Sequence, residues 1–287
     1  MDLEELNQQL AKLMEEQNRR AVPEFEGYSP YEMNNILHDT FGTNSPIQLQ
    51  KLSSEGYDQI PMLQQVKYLG SIIDKSGSLK LTAKGFLPTK IVAELYAQEF
   101  IKDDFIDDAH YKLYKETDSN SIHLTRILIE LTGIAKKRLG KLSLTKNGQK
   151  VLKDDFELFK LLFDTFRNKF NWGYFDGYDE RPIGPLGFGF TLILLSKYGE
   201  KPRSDIFYAE KYLKAFPALL EGINPGYTTV EDYAASCYSI RTFDRFMDYF
   251  GLVALEKEGA IIKRIVNVQK TPLLDKLFKI KAREGGK

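Results

Sequence analysis

Between Gly133 and Leu152 the chain reads Gly-Ile-Ala-Lys-Lys-Arg-Leu-Gly-Lys-Leu-Ser-Leu-Thr-Lys-Asn-Gly-Gln-Lys-Val-Leu, and no other stretch restricts the fold so strongly. A helix end at a glycine, a short basic hairpin and a Leu-Thr-x-x-Gly step into another helix follow one another without spare residues. The step is echoed at Leu79-Lys-Leu-Thr-Ala-Lys-Gly85 and, in degraded form, at Val266-Asn-Val-Gln-Lys-Thr-Pro272. Repetition of one layout along a chain predicts repeated small units, each needing helices to cover its hairpin.

Periodicity supplies those helices. Leu3, Leu6, Leu10 and Leu13 share one helical face over residues 2–20, a helix expected to dock on its own chain, with a second copy as the alternative. Ser29, Pro30 and Glu32 form a capping box with proline at the first helical position. Leu63, Val66, Leu69 and Ile73 predict a helix over 61–75, Leu79–Leu81 a strand, and Pro88 the start of another helix. Ile122, Ile127, Leu128 and Leu131 mark a further helix, and others are expected near 187–198, 204–220 and 229–250, with strands near 134–138 and 141–145 and a hairpin from 252 to 266. Gly and Pro interrupt every period between 171 and 187, although the aromatics there predict a packed connection.

Helices followed by a hairpin are the order of a winged helix. The fold class expected is mainly α with short β-hairpins, arranged as tandem winged-helix-like modules. The expected divisions are an N-terminal helical arm (1–56), a degenerate module (57–118), a module with a basic wing (119–170), the aromatic connection (171–186) and a C-terminal module (187–287).

Formal net charge is zero, but its distribution is uneven. Residues 119–170 carry 11 basic and 5 acidic side chains, whereas residues 1–56 carry 4 and 10. The positive excess therefore coincides with the clearest wing, and local sign decides whether a polyanion is attracted. Lys136, Lys137, Arg138, Lys141 and Lys146 are candidate phosphate contacts, with Arg126 on the preceding helix reaching further in. A solvated hairpin whose lysines only blunt a sheet edge would look the same. In the third module Arg241, Asp244, Arg245 and Asp248 are expected outside the helix. Carboxylates do not suit a helix facing phosphates, so that module is expected to be structural or protein-binding.

Catalytic chemistry finds little support. His38, His110, His123 and the single cysteine, Cys237, lack metal-ligand spacing. Asp103, Asp104, Asp107 and Asp108 could hold a divalent cation in a metal-dependent hydrolase, but a solvated acidic helix start accounts for them more simply. Gly184–Gly189 lacks the Lys-Ser/Thr of a phosphate loop. No cofactor and no metal are expected. Trp172, Tyr174, Phe175 and Tyr178 could stack bases or sugars or form a protein interface, and sealing a junction between modules is the favoured reading. The longest apolar run, around Phe190–Leu195, is too short to span a bilayer, so no membrane partner is expected. An acidic N-terminus and one cysteine suit a cytoplasmic protein.

The hairpin with Leu144-Thr-Lys-Asn-Gly-Gln-Lys-Val-Leu152 resembles the wing of MarR- and PadR-like bacterial regulators, over about a tenth of the chain. Phe25-Glu-Gly-Tyr-Ser-Pro-Tyr-Glu-Met33 and Leu79-Lys-Leu-Thr-Ala-Lys-Gly-Phe-Leu-Pro88 resemble segments of an uncharacterised bacterial protein family. The first resemblance implies a winged helix-turn-helix and DNA binding; the second implies no catalytic residue. Recognition without catalysis, with nucleic acid ahead of a protein-binding scaffold, is the function expected.

Overall fold

A computed structural model describes residues 3–107, 111–259, 265–281 and 283, with only the backbone described at 104 and 105. Asp108, His110 and the expected hairpin residues Ile261–Arg264 lie outside the described residues. The chain divides into two compact units. One comprises residues 1–50, 181–243 and 253–287, and the other residues 51–180 and 244–252.

The first unit begins with α1 (Leu3–Asn18), no residue of which is buried. Docking of this helix on its own chain is therefore not what is found. The apolar stripe made it amphipathic without specifying a partner, and the polar remainder keeps it solvated. In α2 (Pro30–His38) the capping box forms as expected: the Ser29 amide donates to Glu32 Oε2 at 2.9 Å, and the Ser29 hydroxyl accepts from the Glu32 amide. β1 (Ile47–Leu49) follows.

The second unit holds α3 (Ser54–Tyr57), α4 (Pro61–Ser76), β2 (Leu79–Lys80), α5 (Thr89–Tyr96), α6 (Asp104–Asp107), α7 (Asn120–Leu131), β3 (Ala135–Arg138), β4 (Lys141–Leu144), α8 (Lys146–Val151), α9 (Asp155–Asn168) and α10 (Trp172–Asp176). Its strands form one antiparallel sheet in the order β2-β4-β3. The two stretches read separately along the sequence, 57–118 and 119–170, thus share a sheet. Leu79-Lys-Leu is the third strand of the basic hairpin rather than a hairpin of its own, because a two-residue strand needs a neighbour to satisfy its backbone. Leu63, Val66, Leu69 and Ile73 of α4 are fully buried, and Phe159, Phe163 and Phe166 of α9 pack against Phe246 and Phe250 with ring centroids 4.8–6.1 Å apart.

The first unit resumes with α11 (Phe188–Tyr198), β5 (Arg203–Ser204), α12 (Asp205–Ala215) and α13 (Val230–Ser239). A π-helical stretch, Ile240–Met247, continues α13 and carries the chain into the second unit. The chain returns for β6 (Val253–Glu258), β7 (Ile265–Lys270), α14 (Pro272–Leu277) and β8 (Phe278–Ile280). The sheet order β5-β7-β6 repeats that of the second unit, and β8 pairs with β1. Tyr212 and Tyr238 stack at 4.4 Å in the core, with the Tyr238 hydroxyl 2.9 Å from Thr191 Oγ1. No helix among the described residues is long and apolar enough to cross a membrane.

Candidate nucleic-acid interface

The Leu-Thr-x-x-Gly step explains how the hairpin is held. The Thr145 amide donates to the Ile134 carbonyl at 2.9 Å, its hydroxyl donates to the Gly133 carbonyl at 2.8 Å, and the same hydroxyl accepts from the Gly148 amide at 2.9 Å. One threonine therefore closes the hairpin base and caps α8. Gly148 is required because a Cβ there would lie 2.0 Å from the Ile134 carbonyl oxygen.

At the other end, Leu139 (φ 49°) and Gly140 (φ 69°) link β3 to β4 with left-handed backbone at both positions, the conformation that matches strand twist in a two-residue turn. Register then sorts the side chains. Leu79 and Leu142 are opposite one another and buried, with Ala135 on the same face. Alternation puts Lys80, Lys136, Arg138, Lys141 and Ser143 on the other face. Lys80 is paired with Lys141, and Lys141 with Arg138. Three cations therefore stand in line across strands about 4.8 Å apart. All three are exposed, and none of their side chains has an ion-pair or hydrogen-bond partner among the described residues. Like charges directly opposite in a sheet are destabilising.

The expected contacts separate on this geometry. Lys136, Arg138 and Lys141 share the charged face. Lys137 lies on the opposite face, beside Leu142, and reaches Gly85, where an added Cβ would come within 2.2 Å of its Nζ. Lys146 opens α8 and is exposed. Arg126 is engaged elsewhere: its Nε donates to Glu116 Oε1 and its Nη1 to Glu130 Oε1, both at 2.5 Å. Burial works against the Arg126 charge, but the two carboxylates outweigh it and raise its pKa. Lys80, absent from the sequence candidates, completes the row; only strand register reveals it.

Glu116 is fully buried and also accepts from the Leu87 amide at 2.6 Å, while His123 Nδ1 lies 2.6 Å from it. Phe175 stacks on His123 with centroids 5.7 Å apart. Arg245 in turn lies over the Phe175 ring at 5.3 Å and donates to its carbonyl. His123 and Arg126 of α7 are thus held by neighbours within the unit.

Of the aromatic set, Trp172 is core, 4.6 Å from Phe166 and 5.1 Å from Phe170 by ring centroids. Phe175 and Tyr178 are half-buried, and Tyr174 is 78% exposed. Arg241, expected on the outside, is 1% exposed and donates to the Arg181 carbonyl at 2.6 Å. The π-helical stretch explains this difference, because i→i+5 bonding moves residues off the faces that a 3.6-residue period assigns. Cys237 is buried, as a small apolar side chain would be.

Of the acidic cluster, Asp107 accepts from the Tyr96 hydroxyl at 2.6 Å, and the Asp103 amide donates back to Tyr96. Among the described residues no three His, Cys, Asp or Glu side chains come together as a metal ion would need.

Residues 58–157 match the Y4jL N-terminal domain family. That span runs from just before α4 into α9 and contains the whole β2-β4-β3 sheet. The match to the Y4jL N-terminal domain covers about a third of the chain and applies to that segment. No curated protein and no solved structure matches the chain.

Proposed function

We propose that this protein recognises duplex nucleic acid through phosphate contacts on the β2-β4-β3 sheet, without catalysis. The observation that carries the reading is the row Lys80, Lys141 and Arg138, three exposed cations without carboxylate partners among the described residues. Such a row costs stability in the free protein, and a polyanion reverses that cost by replacing repulsion with phosphate contacts and releasing counterions. Lys136 extends the same positive face.

The units are proposed as two winged-helix modules, residues 61–144 and 188–270. Each follows the order helix, strand, helix, helix, hairpin, with the four-residue α6 interposed between α5 and α7 in the first, and in each the first strand pairs with the last. Base-specific readout is not part of the proposal. Arg126 is committed to Glu116 and Glu130, and His123 lies under Phe175, so neither of these α7 side chains is free to pair with base edges. Binding is therefore proposed to be backbone-led and tolerant of sequence.

The test is fluorescence anisotropy with a generic duplex across a salt series. The wild type is expected to bind at about 50 mM salt and weaken steeply as salt rises. Replacing Lys80, Arg138 and Lys141 by Ala together is expected to flatten the slope of log K against log salt by about 2–3. Absence of binding at low salt, or an unchanged slope in the triple variant, overturns the reading.

A further inference from the structure

We propose that Leu139 is an apolar wedge that enters the minor groove of duplex DNA and partly unstacks a base step, while the cations behind it hold the phosphates. This rests on the phosphate-binding reading above and adds a specific act to it.

Two properties of Leu139 work against the stability of the free protein. Its backbone sits at φ 49°, in the left-handed region where a bulky side chain is an outlier and where Asn, Asp or Gly is the usual first residue of such a turn. Its side chain is 90% exposed, so packing gives nothing back. A strained residue with no packing reward is the kind of outlier from which function is inferred. Its position supplies the function. The turn is the narrowest point of the hairpin, flanked directly by Arg138 and, after Gly140, by Lys141, both on the charged face. An apolar tip with cations immediately behind it is the arrangement by which minor-groove proteins insert a leucine between bases and anchor the flanking phosphates.

An anionic bilayer would also attract an apolar tip ringed by lysines. The duplex is favoured because one leucine buries a fraction of the chain length that even a single marginal lipid anchor needs.

The test uses the full chain and a duplex carrying 2-aminopurine at several A·T positions, whose fluorescence rises on unstacking. Wild type is expected to raise the signal by about twofold or more, as partial unstacking would. Leu139→Asn, a residue that tolerates left-handed backbone, is expected to melt no lower than wild type. It should also keep the salt dependence of binding while losing the fluorescence rise. Leu139→Met should restore the rise. Binding without any rise in the wild type, or an equal rise with Leu139→Asn, overturns the wedge and leaves phosphate contact standing. No binding by the wild type overturns both. If vesicles of mixed phosphatidylserine and phosphatidylcholine bind the wild type but not Leu139→Asn, while DNA fluorescence is unchanged between the two, the tip faces a membrane and the wedge proposal fails.

Discussion

Two sheets in this chain share a strand order and differ in what they turn outward. In β2-β4-β3 the exposed row across the strands is Lys80, Lys141 and Arg138. In β5-β7-β6 the corresponding row is Ser204, Asn267 and Glu256, and Ala254 and Glu258 are the other exposed residues of β6. The backbone arrangement therefore does not require a line of cations, since its counterpart does without one. The interiors differ too. Both bury phenylalanine rings, but the unit of residues 1–50, 181–243 and 253–287 adds the fully buried Tyr208, Tyr212 and Tyr238, each at 0% exposure. Packing geometry recurs between the two while chemistry does not, which is why the charge row is informative about a ligand and the shared topology is not.

The largest expected effect tests the interiors. Phe163 lies within 5.0–5.2 Å, centroid to centroid, of Phe159 and Phe250, and 4.9 Å from Phe246. Phe163→Ala should cost about 3–5 kcal/mol by removing ring contacts and leaving a cavity. Urea denaturation monitored by circular dichroism measures it. A loss below about 1 kcal/mol would mean that the site collapses freely and that the ring cluster is not where this unit's stability lies.

The next effect belongs to the other unit. Glu26 is buried and accepts from Lys197 Nζ at 2.7 Å, Lys211 Nζ at 2.7 Å and the Tyr198 hydroxyl at 2.6 Å. Burial alone would raise its pKa, but the three donors outweigh burial and hold it below the ordinary carboxylate value of 4.5. A depressed pKa in the folded state means the cluster stabilises fully above about pH 4.5, the value of the unfolded carboxylate, and that this contribution is lost as pH falls through the folded pKa. Glu26→Gln should cost about 1.5 kcal/mol at pH 7, at the low end for charged hydrogen bonds because both lysines are about one-third exposed. Melting curves from pH 7 to pH 3 should then show wild type and variant converging in acid. Parallel profiles throughout would remove Glu26 from the acid response.

Local signals were legible in the sequence. The capping box at Ser29 and Glu32, the helix over 61–76, the hairpin strands and the Thr145 step all depend on residues within a few positions of each other, and each forms as its pattern predicts. Non-local facts were not legible. That Leu79 and Lys80 join the hairpin at Leu142 and Lys141 is set by pairing across more than 60 residues, which no periodicity encodes. Arg126 looks like a free cation until Glu116, ten residues away, is seen to be buried against it. Arg241 was misplaced because it sits where helical period breaks, at a π-helical stretch, so that its exposure follows from packing alone.

The smallest effect asks whether the cation row is repulsive at all. Lys80 stands opposite Lys141, which stands opposite Arg138, and among the described residues no carboxylate pairs with the middle charge. Lys80→Gln keeps most of the side-chain length while removing one of the two adjacent like-charge pairs, so it should stabilise the free protein by about 0.2–1 kcal/mol. The gain should disappear near 1 M salt, where the screening length falls to about 3 Å, shorter than the strand spacing. Glu256→Gln on the other sheet provides the contrast, since its cross-strand neighbour Asn267 is neutral and no salt-sensitive gain is expected. If Lys80→Gln instead destabilises at low salt, the row is already offset within the protein, and its cations have less to gain from phosphate. If the gain appears and vanishes with salt as described, the free protein carries a repulsion that only an anion relieves.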